Sequence, residues 1–255
     1  KIENFAVTDL EFLSDNVTDI SPVRALTGLK KLTMKGSAHR SGKLVDVSPL
    51  KGLPLELLDC TNTQVSELSP LKGMISLTYL ACQNTKVSDL TPLKEMRLTY
   101  LACSGTLVSD LSPLKDMTSL KRLDIFYLEV TDLTPLAGLS LEHVNCGSTK
   151  VSDLKPLKGM LLTLVAVHGT QVSDLSPLAG MPLSVVEISN TQVSDLSPLA
   201  GMALTSLGCG ATKITNLSVL KGMPIKEFSF DFDPKRDTTI LRSIKTLVTI
   251  NGKPA

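Results

Sequence analysis

Two short apolar patterns alternate along the whole chain. One is LxxLxCxxTxV, as in Leu77, Leu80, Cys82, Thr85 and Val87. The other is the phrase VSDLSPLAG, which runs from Val172 to Gly180 and recurs almost letter for letter from Val193 to Gly201. Counted from its first apolar residue, the phrase starts at Val17, Leu44, Val65, Val87, Val108, Val130, Val151, Val172, Val193 and Ile214. The steps are 21 or 22 residues, apart from one of 27. A fixed period of this length predicts a solenoid. Alternating apolar sites in LxxLxC predict one short strand per turn, so that successive turns form a parallel sheet with ~4.8 Å between strands. In SPL, as at Ser69 and Pro70, the serine reads as an N-cap and the proline suits the first helical position. A single helical or 3-10 turn is therefore expected on the outer side, and so short an outer turn predicts only gentle curvature, with the sheet on the concave face.

The same patterns place the ends and one insertion. Val7, Leu10 and Phe12 already match the strand template, so the solenoid is expected to begin within the first ten residues, with its cap supplied upstream of Lys1. A first residue of Lys reads as the start of an excised or processed segment. Between Met34 and Leu44 the stretch from Ser37 to Lys43, SAHRSGK, is an insertion, read either as a solvated loop or as a side wall of a binding face. It carries His39 and Arg40, which have no partner nearby in sequence. Ile225, Phe228 and Phe230 predict a last strand. Beyond Asp233 and Pro234, Asp237 reads as the N-cap of a helix with Ile240, Leu241, Ile244 and Leu247 on one face. The division expected is a repeat solenoid over 1–235 and a C-terminal cap over 236–255.

These motifs resemble the leucine-rich repeat family, with Cys at the third apolar site and Thr where the family usually carries Asn. VSDLTPL, from Val87 to Leu93, resembles the family's short bacterial, internalin-like form. The wording of the array is similar to repeat regions of planctomycete proteins, many of them receptor-like serine/threonine kinases. The resemblance covers Lys1 to Ala255 and implies an α/β repeat solenoid: a curved array with a parallel sheet on the concave face, helical or 3-10 turns on the convex face, and a helical C-terminal cap. It also implies the sensing or assembly part of a larger signalling protein, at an extracytoplasmic or cell-surface location. No kinase element accompanies it: the chain has no glycine-rich nucleotide loop, no HRD and no DFG.

Composition adds little to this. Trp is absent and aromatics make up 4% of residues, as suits a narrow core of Leu, Val and Ile. A formal charge of +1 supplies no global field for nucleic acid or an anionic membrane. No stretch reaches the ~20 apolar residues of a membrane span, so no direct membrane insertion is expected of this segment. A monomer is expected.

Several columns look chemical. Cys60, Cys82, Cys103, Cys146 and Cys209 share a site with Ile125, Val167 and Ile188. That identifies a buried ladder of free thiols; disulfide and metal readings are the alternatives. Met74, Met96, Met117 and four later methionines share a column with Leu26, Leu53 and Leu139 and read as core, not as a copper site. Asp19, Asp46, Glu67, Asp89, Asp110, Asp132, Asp153, Asp174, Asp195 and Asn216 form an acidic column, for which turn capping and calcium compete; Asn216 favours capping. Hydroxyls of the Thr column, such as Thr63, Thr85 and Thr106, are expected to bond to neighbouring backbone. No cofactor and no metal site are expected.

If Leu80 and Cys82 point inward, Tyr79 and Ala81 point outward. Read through the turns, the place of Tyr79 holds Leu57, Tyr100, Arg122 and His143, and that of Ala81 holds Asp59, Ala102 and Asp124; Phe126 and Tyr127 lie just beyond. Exposed aromatics beside small alanines predict a shallow patch with Arg122 and Asp124 at its border. The expected ligand-binding residues are Tyr79, Tyr100, Arg122, Asp124, Phe126, Tyr127, His143, Leu57 and Asp59, and the expected partner is a protein or peptide on the concave face. The alternative is a structural spacer with no dedicated ligand. An enzyme comes third, since a triad of His143, Asp124 and Ser104 or Ser148 would lack an enclosed pocket and oxyanion donors.

Overall fold

The computed structural model describes residues 1–3 and 6–255. It comprises two compact units, Lys1–Val130 and Thr131–Ala255. The first opens with an antiparallel pair, β1 (Ile2–Glu3) and β2 (Ala6–Val7), where sequence reasoning expects an uncovered first turn. Ala6 of this pair lies against Gly28 of that turn. There follow β3 (Asp9–Glu11), β4 (Lys31–Thr33), β5 (Leu57–Asp59), β6 (Tyr79–Ala81), β7 (Tyr100–Ala102) and β8 (Arg122–Asp124), paired in parallel in chain order. Leu32, Leu58, Leu80, Leu101 and Leu123 stand in register and are fully buried.

The second unit repeats the plan with β9 (His143–Asn145), β10 (Leu164–Ala166), β11 (Val185–Glu187), β12 (Ser206–Gly208) and β13 (Glu227–Ser229). Val144, Val165, Val186, Leu207 and Phe228 form its inward row. Helix α1 (Pro234–Ser243) follows, then β14 (Thr249–Ile250), parallel to β13, and β15 (Lys253–Pro254), which folds back on β14.

Each phrase forms one 3-10 turn, such as Ser69–Leu71 or Ser176–Leu178, but its cap differs from the expectation. Serine is the first residue of the turn, not its N-cap, and its side chain caps nothing. The acidic residue two positions earlier does the capping. Asp110 accepts the Ser112 backbone N–H at 2.8 Å and the Ser112 hydroxyl at 2.7 Å, and Asp46 and Asp195 bind Ser48 and Ser197 in the same way. A carboxylate has two oxygens and can take both donors, which no single hydroxyl can do. Asn216 retains the backbone bond alone, at 2.9 Å to Ser218. The aspartates of the acidic column are thus turn caps, as expected.

These caps make stability depend on acid. Asp110 and Asp195 are held below the usual carboxylate range by the serine hydroxyl first and the backbone N–H next; for Asp46 and Asp174 the order is reversed. A depressed folded pKa contributes stability above the unfolded value, about 3.9, and loses it as pH falls through the folded value. The urea midpoint is therefore expected to be constant from pH 7 to pH 5 and to drop below about pH 4. Replacing Asp46, Asp110, Asp174 and Asp195 by Asn keeps one acceptor without a titrating group and should flatten that drop. An equally steep acid limb in the fourfold variant would assign the effect elsewhere.

The other columns pack as read. All five cysteines are free and buried, and every methionine of the shared column is buried. Thr63, Thr85, Thr106 and Thr149 each donate to the carbonyl three residues earlier at 2.6–2.7 Å, closing the bend after the strand. One column escaped the sequence reading. Two residues after the Cys site, Asn62, Asn84, Gly105 and Tyr127 in the first unit and Ser148, Gly169, Asn190 and Ala211 in the second all have φ between 52° and 65°. Glycine and asparagine are usual there, whereas tyrosine and alanine are not.

Apart from the insertion at 37–43, which lengthens the stretch between β4 and the phrase at Leu44, turn length varies in one place only. From strand to phrase the spacing is constant: Tyr79 to Val87, Tyr100 to Val108 and Arg122 to Val130 all span eight residues. The extra residue of the longer turns lies between the proline and the next strand. There Ile75 N–H bonds the Gly73 carbonyl and Thr118 N–H bonds the Asp116 carbonyl, each at 2.9 Å, and Ile75 is left 70% exposed.

The C-terminal helix begins earlier than expected. Asp233, not Asp237, is the N-cap: its carboxylate accepts from Lys235 N–H at 2.9 Å, with Pro234 at the first helical position. An Asp–Pro pair that reads as a break of the repeat is also a helix start. Asp237 lies one turn in, fully buried, and its carboxylate accepts from Asp233 N–H at 2.8 Å and from both Nε (2.6 Å) and Nη2 (2.8 Å) of Arg236. Ile244 is buried, whereas Ile240, Leu241 and Leu247 are half-buried.

Candidate protein-binding face

Alternation along three-residue strands puts the first and third residues of each on the open side of the sheet. In the first unit this side carries Leu57, Tyr79, Tyr100 and Arg122 in one row, and Asp59, Ala81, Ala102 and Asp124 in the next. The rings of Tyr79 and Tyr100 stack at 4.3 Å with 8° between planes, and Tyr100 Oη donates to Asp124 Oδ2 at 3.0 Å. Burial, with the Asp124 carboxylate next, pushes the Tyr100 phenol well above its ordinary pKa, so it remains a donor at any physiological pH. Arg122 is exposed beside it, and Leu57 is half-buried on the other side of Tyr79. Asp59 turns to its own backbone, accepting from Thr61 N–H at 3.0 Å.

The alanines depart from expectation. Ala81 and Ala102 occupy the open side but are 2% and 0% exposed, so they offer no surface of their own. A methyl group there stands no higher than the pleat, and the taller side chains of the neighbouring positions cover it. Phe126 and Tyr127 form a second ring pair, edge to face at 5.4 Å, with Tyr127 64% exposed. No ring contact joins the two pairs among the described residues, so the aromatics form two clusters rather than one continuous row. His143 belongs to the second unit, where it stands in register with Leu164 on a different apolar stretch, Leu164 and Val185.

The insertion proves to be tied down. Asp15 accepts from Ser37 N–H at 3.0 Å and from the Ser41 hydroxyl at 2.5 Å, and Gln64 Nε2 donates to the Arg40 carbonyl at 2.7 Å. Arg40 Nη2 reaches the carbonyl of Gly105, 65 residues away, at 3.2 Å. Gly105 N–H in turn bonds the Phe126 carbonyl at 3.1 Å. This strap therefore runs along the rim of the sheet and ends beside the second aromatic pair, a contact that sequence spacing could not reveal. Buried Nε of Arg40 and Oγ of Ser104 have no partner among the described residues.

No metal-ligating cluster exists among the described residues, and no helix there is long and apolar enough to cross a membrane. No family model matches the sequence, and no curated protein matches it. Solved structures do match. An internalin of Listeria monocytogenes is 26% identical with a TM-score of 0.81, over 96% of this chain and 73% of that one. Internalin C2 of the same organism is 25% identical with a TM-score of 0.68, over 96% and 99%. A plant peptide hormone receptor, solved in complex with RGF2, shares the fold at 16% identity and a TM-score of 0.65, over 89% and 40%. With its period, its one short strand and one 3-10 turn per repeat, and these structural neighbours, the chain has the fold of the leucine-rich repeat solenoids and resembles the internalins in it.

Proposed function

We propose that this chain is a non-catalytic recognition domain that binds a protein or peptide on its open, concave face, centred on Tyr79 and Tyr100. The observation carrying the proposal is the stacked tyrosine pair latched to Asp124. Each ring restrains the other, and the phenol–carboxylate bond holds Tyr100, so a partner meets an aromatic surface already ordered and loses little side-chain freedom on binding. Arg122 supplies a charged border, and Phe126 with Tyr127 a second anchor at the rim. Complexes such as that of the plant peptide hormone receptor support the class of ligand, and the resemblance of the repeats supports a place as the sensing or assembly part of a larger signalling protein. The domain acts as a monomer in this reading, with 236–255 closing the array.

A pull-down from the source organism supplies the partner, and affinities then test the face. Tyr100→Ala is expected to weaken binding roughly 30-fold, the equivalent of about 2 kcal/mol for a central aromatic anchor. Tyr100→Phe, which keeps the stack and loses only the bond to Asp124, should cost less. Combined Tyr79, Tyr100 and Phe126 to Ala is compared with Lys72, Lys94 and Lys115 to Ala on the convex side. Loss of binding in the lysine set alone would refute the concave-face proposal.

A further inference from the structure

The last turn of the array breaks its own rule. Nine turns hold Asp or Glu at the capping position and Pro in the phrase, but the tenth holds Asn216 and Val219. The negative charge is absent there, and Ser218 Oγ has no bond of the kind that ties Ser112 and Ser197 to their aspartates. Helix α1 lies over this turn and leaves a cleft of roughly 380 Å³, within the range of small-molecule sites. Leu217 and Ile240 supply apolar wall; Lys221, Ser218 and Thr239 supply polar groups. Lys221 has no ion-pair partner among the described residues. Asp237, the one carboxylate lining the cleft, is already neutralised by the two-pronged contact of Arg236. Local charge has the same sign: residues 213–255 hold eight Lys and Arg against four Asp and Glu, a formal +4, while the rest of the chain is −3.

The geometry points to a second binding site, beneath the C-terminal helix, for a small amphiphilic carboxylate. Its apolar body lies on Leu217 and Ile240, and its head group lies between Lys221 and the Ser218 hydroxyl. A half-open cleft with one uncommitted cation at its edge suits a single anionic head, and a short body suits the limited apolar wall. This site is independent of the open face of the sheet.

The test is a titration of the full, isotope-labelled chain with hexanoate, followed by amide chemical shifts, beside hexanol as the uncharged probe of the same body. Saturable shifts are expected at residues 215–221 and 236–243, with a dissociation constant on the order of 1 mM for so small a probe. Hexanol should bind about 10-fold more weakly, and Lys221→Gln should weaken hexanoate by about the same factor. Lys158→Gln, at the equivalent place of an earlier turn, should change nothing. Lys221 is exposed, so its replacement should leave the melting temperature unchanged, and loss of binding in a folded variant supports the site. Equal binding of hexanoate and hexanol, undiminished hexanoate binding by the Lys221 variant, or shifts spread over every turn would overturn it.

Discussion

Deleting the residues after Asp233 is expected to lower the melting temperature by roughly 10–20 °C and to promote association. The removed segment does three things for the last turn. It supplies β14 and the residue before it: the Val248 and Thr249 N–H groups both bond the Lys226 carbonyl, at 2.8 and 2.9 Å. It ends the ladder with Asn251, whose backbone N–H bonds the Phe228 carbonyl at 2.9 Å and whose side chain accepts from Phe230 N–H (2.9 Å) and donates to its carbonyl (3.1 Å). An amide side chain there imitates the peptide group of one more strand. It also covers Phe228 and Phe230, which stack at 4.2 Å and are 1% and 6% exposed. Returning two phenyl groups to water costs about 2–3 kcal/mol each, and a loss near 5 kcal/mol converts to the stated shift for a protein of this size. The bared edge of β13 would then be free to pair with another chain. A truncated protein that stays monomeric and melts at the parental temperature would contradict this account of the cap.

All five cysteines are expected to resist a thiol reagent in the native protein by a factor of 1,000 or more relative to the denatured chain. Two causes multiply. Burial keeps the reagent from sulfur until a turn opens, and opening costs several kcal/mol in a packed core. Burial also opposes the thiolate, which is the reactive form. It pushes Cys103, Cys146 and Cys209 up to about 12, with the nearby Asp124 charge adding to the effect on Cys103, and it holds Cys60 and Cys82 well above their ordinary value. Mass spectrometry after brief exposure at pH 8 should show unlabelled native protein and five labels in denaturant. Rapid native labelling of Cys82 or Cys103 would place that column on the open side, a register error of one residue.

Local periodic features were legible from sequence because each turn restates them. Ile125, Val167 and Ile188 in the cysteine column announce an inward site, and Asn216 among aspartates announces a cap. What escaped depended on geometry between turns or on dihedral angle. The reach of Arg40 to Gly105 spans a sequence separation that no local pattern encodes. Positive φ at Tyr127 and Ala211 was hidden by residues that rarely adopt it, although Asn62, Asn84, Gly105, Gly169 and Asn190 in the same column were a usable signal. Serine before proline reads as an N-cap, but the aspartate two positions earlier, with two acceptor oxygens, has the better chemistry for the role. The burial of Ala81 and Ala102 depended on the height of neighbouring side chains, which alternation alone does not supply. For the candidate site, alternation places the tyrosines and Asp124 on one face, but the latch between Tyr100 and Asp124 and the separate Phe126–Tyr127 ring pair depend on side-chain conformations that no pattern encodes.

The confinement of the extra residue to the stretch between proline and strand has an evolutionary consequence. A one-codon insertion or deletion there is absorbed by the outer bend around Ile75 or Thr118, and the eight residues from strand to phrase keep their spacing. Neither the inward rows nor the tyrosine row shifts. Genes built from near-identical segments gain and lose copies by unequal crossing-over, and imperfect junctions are common at such events. A chain with this shock absorber can change its number of turns, and so the length of the surface it presents, while each surviving turn keeps its side chains facing the same way.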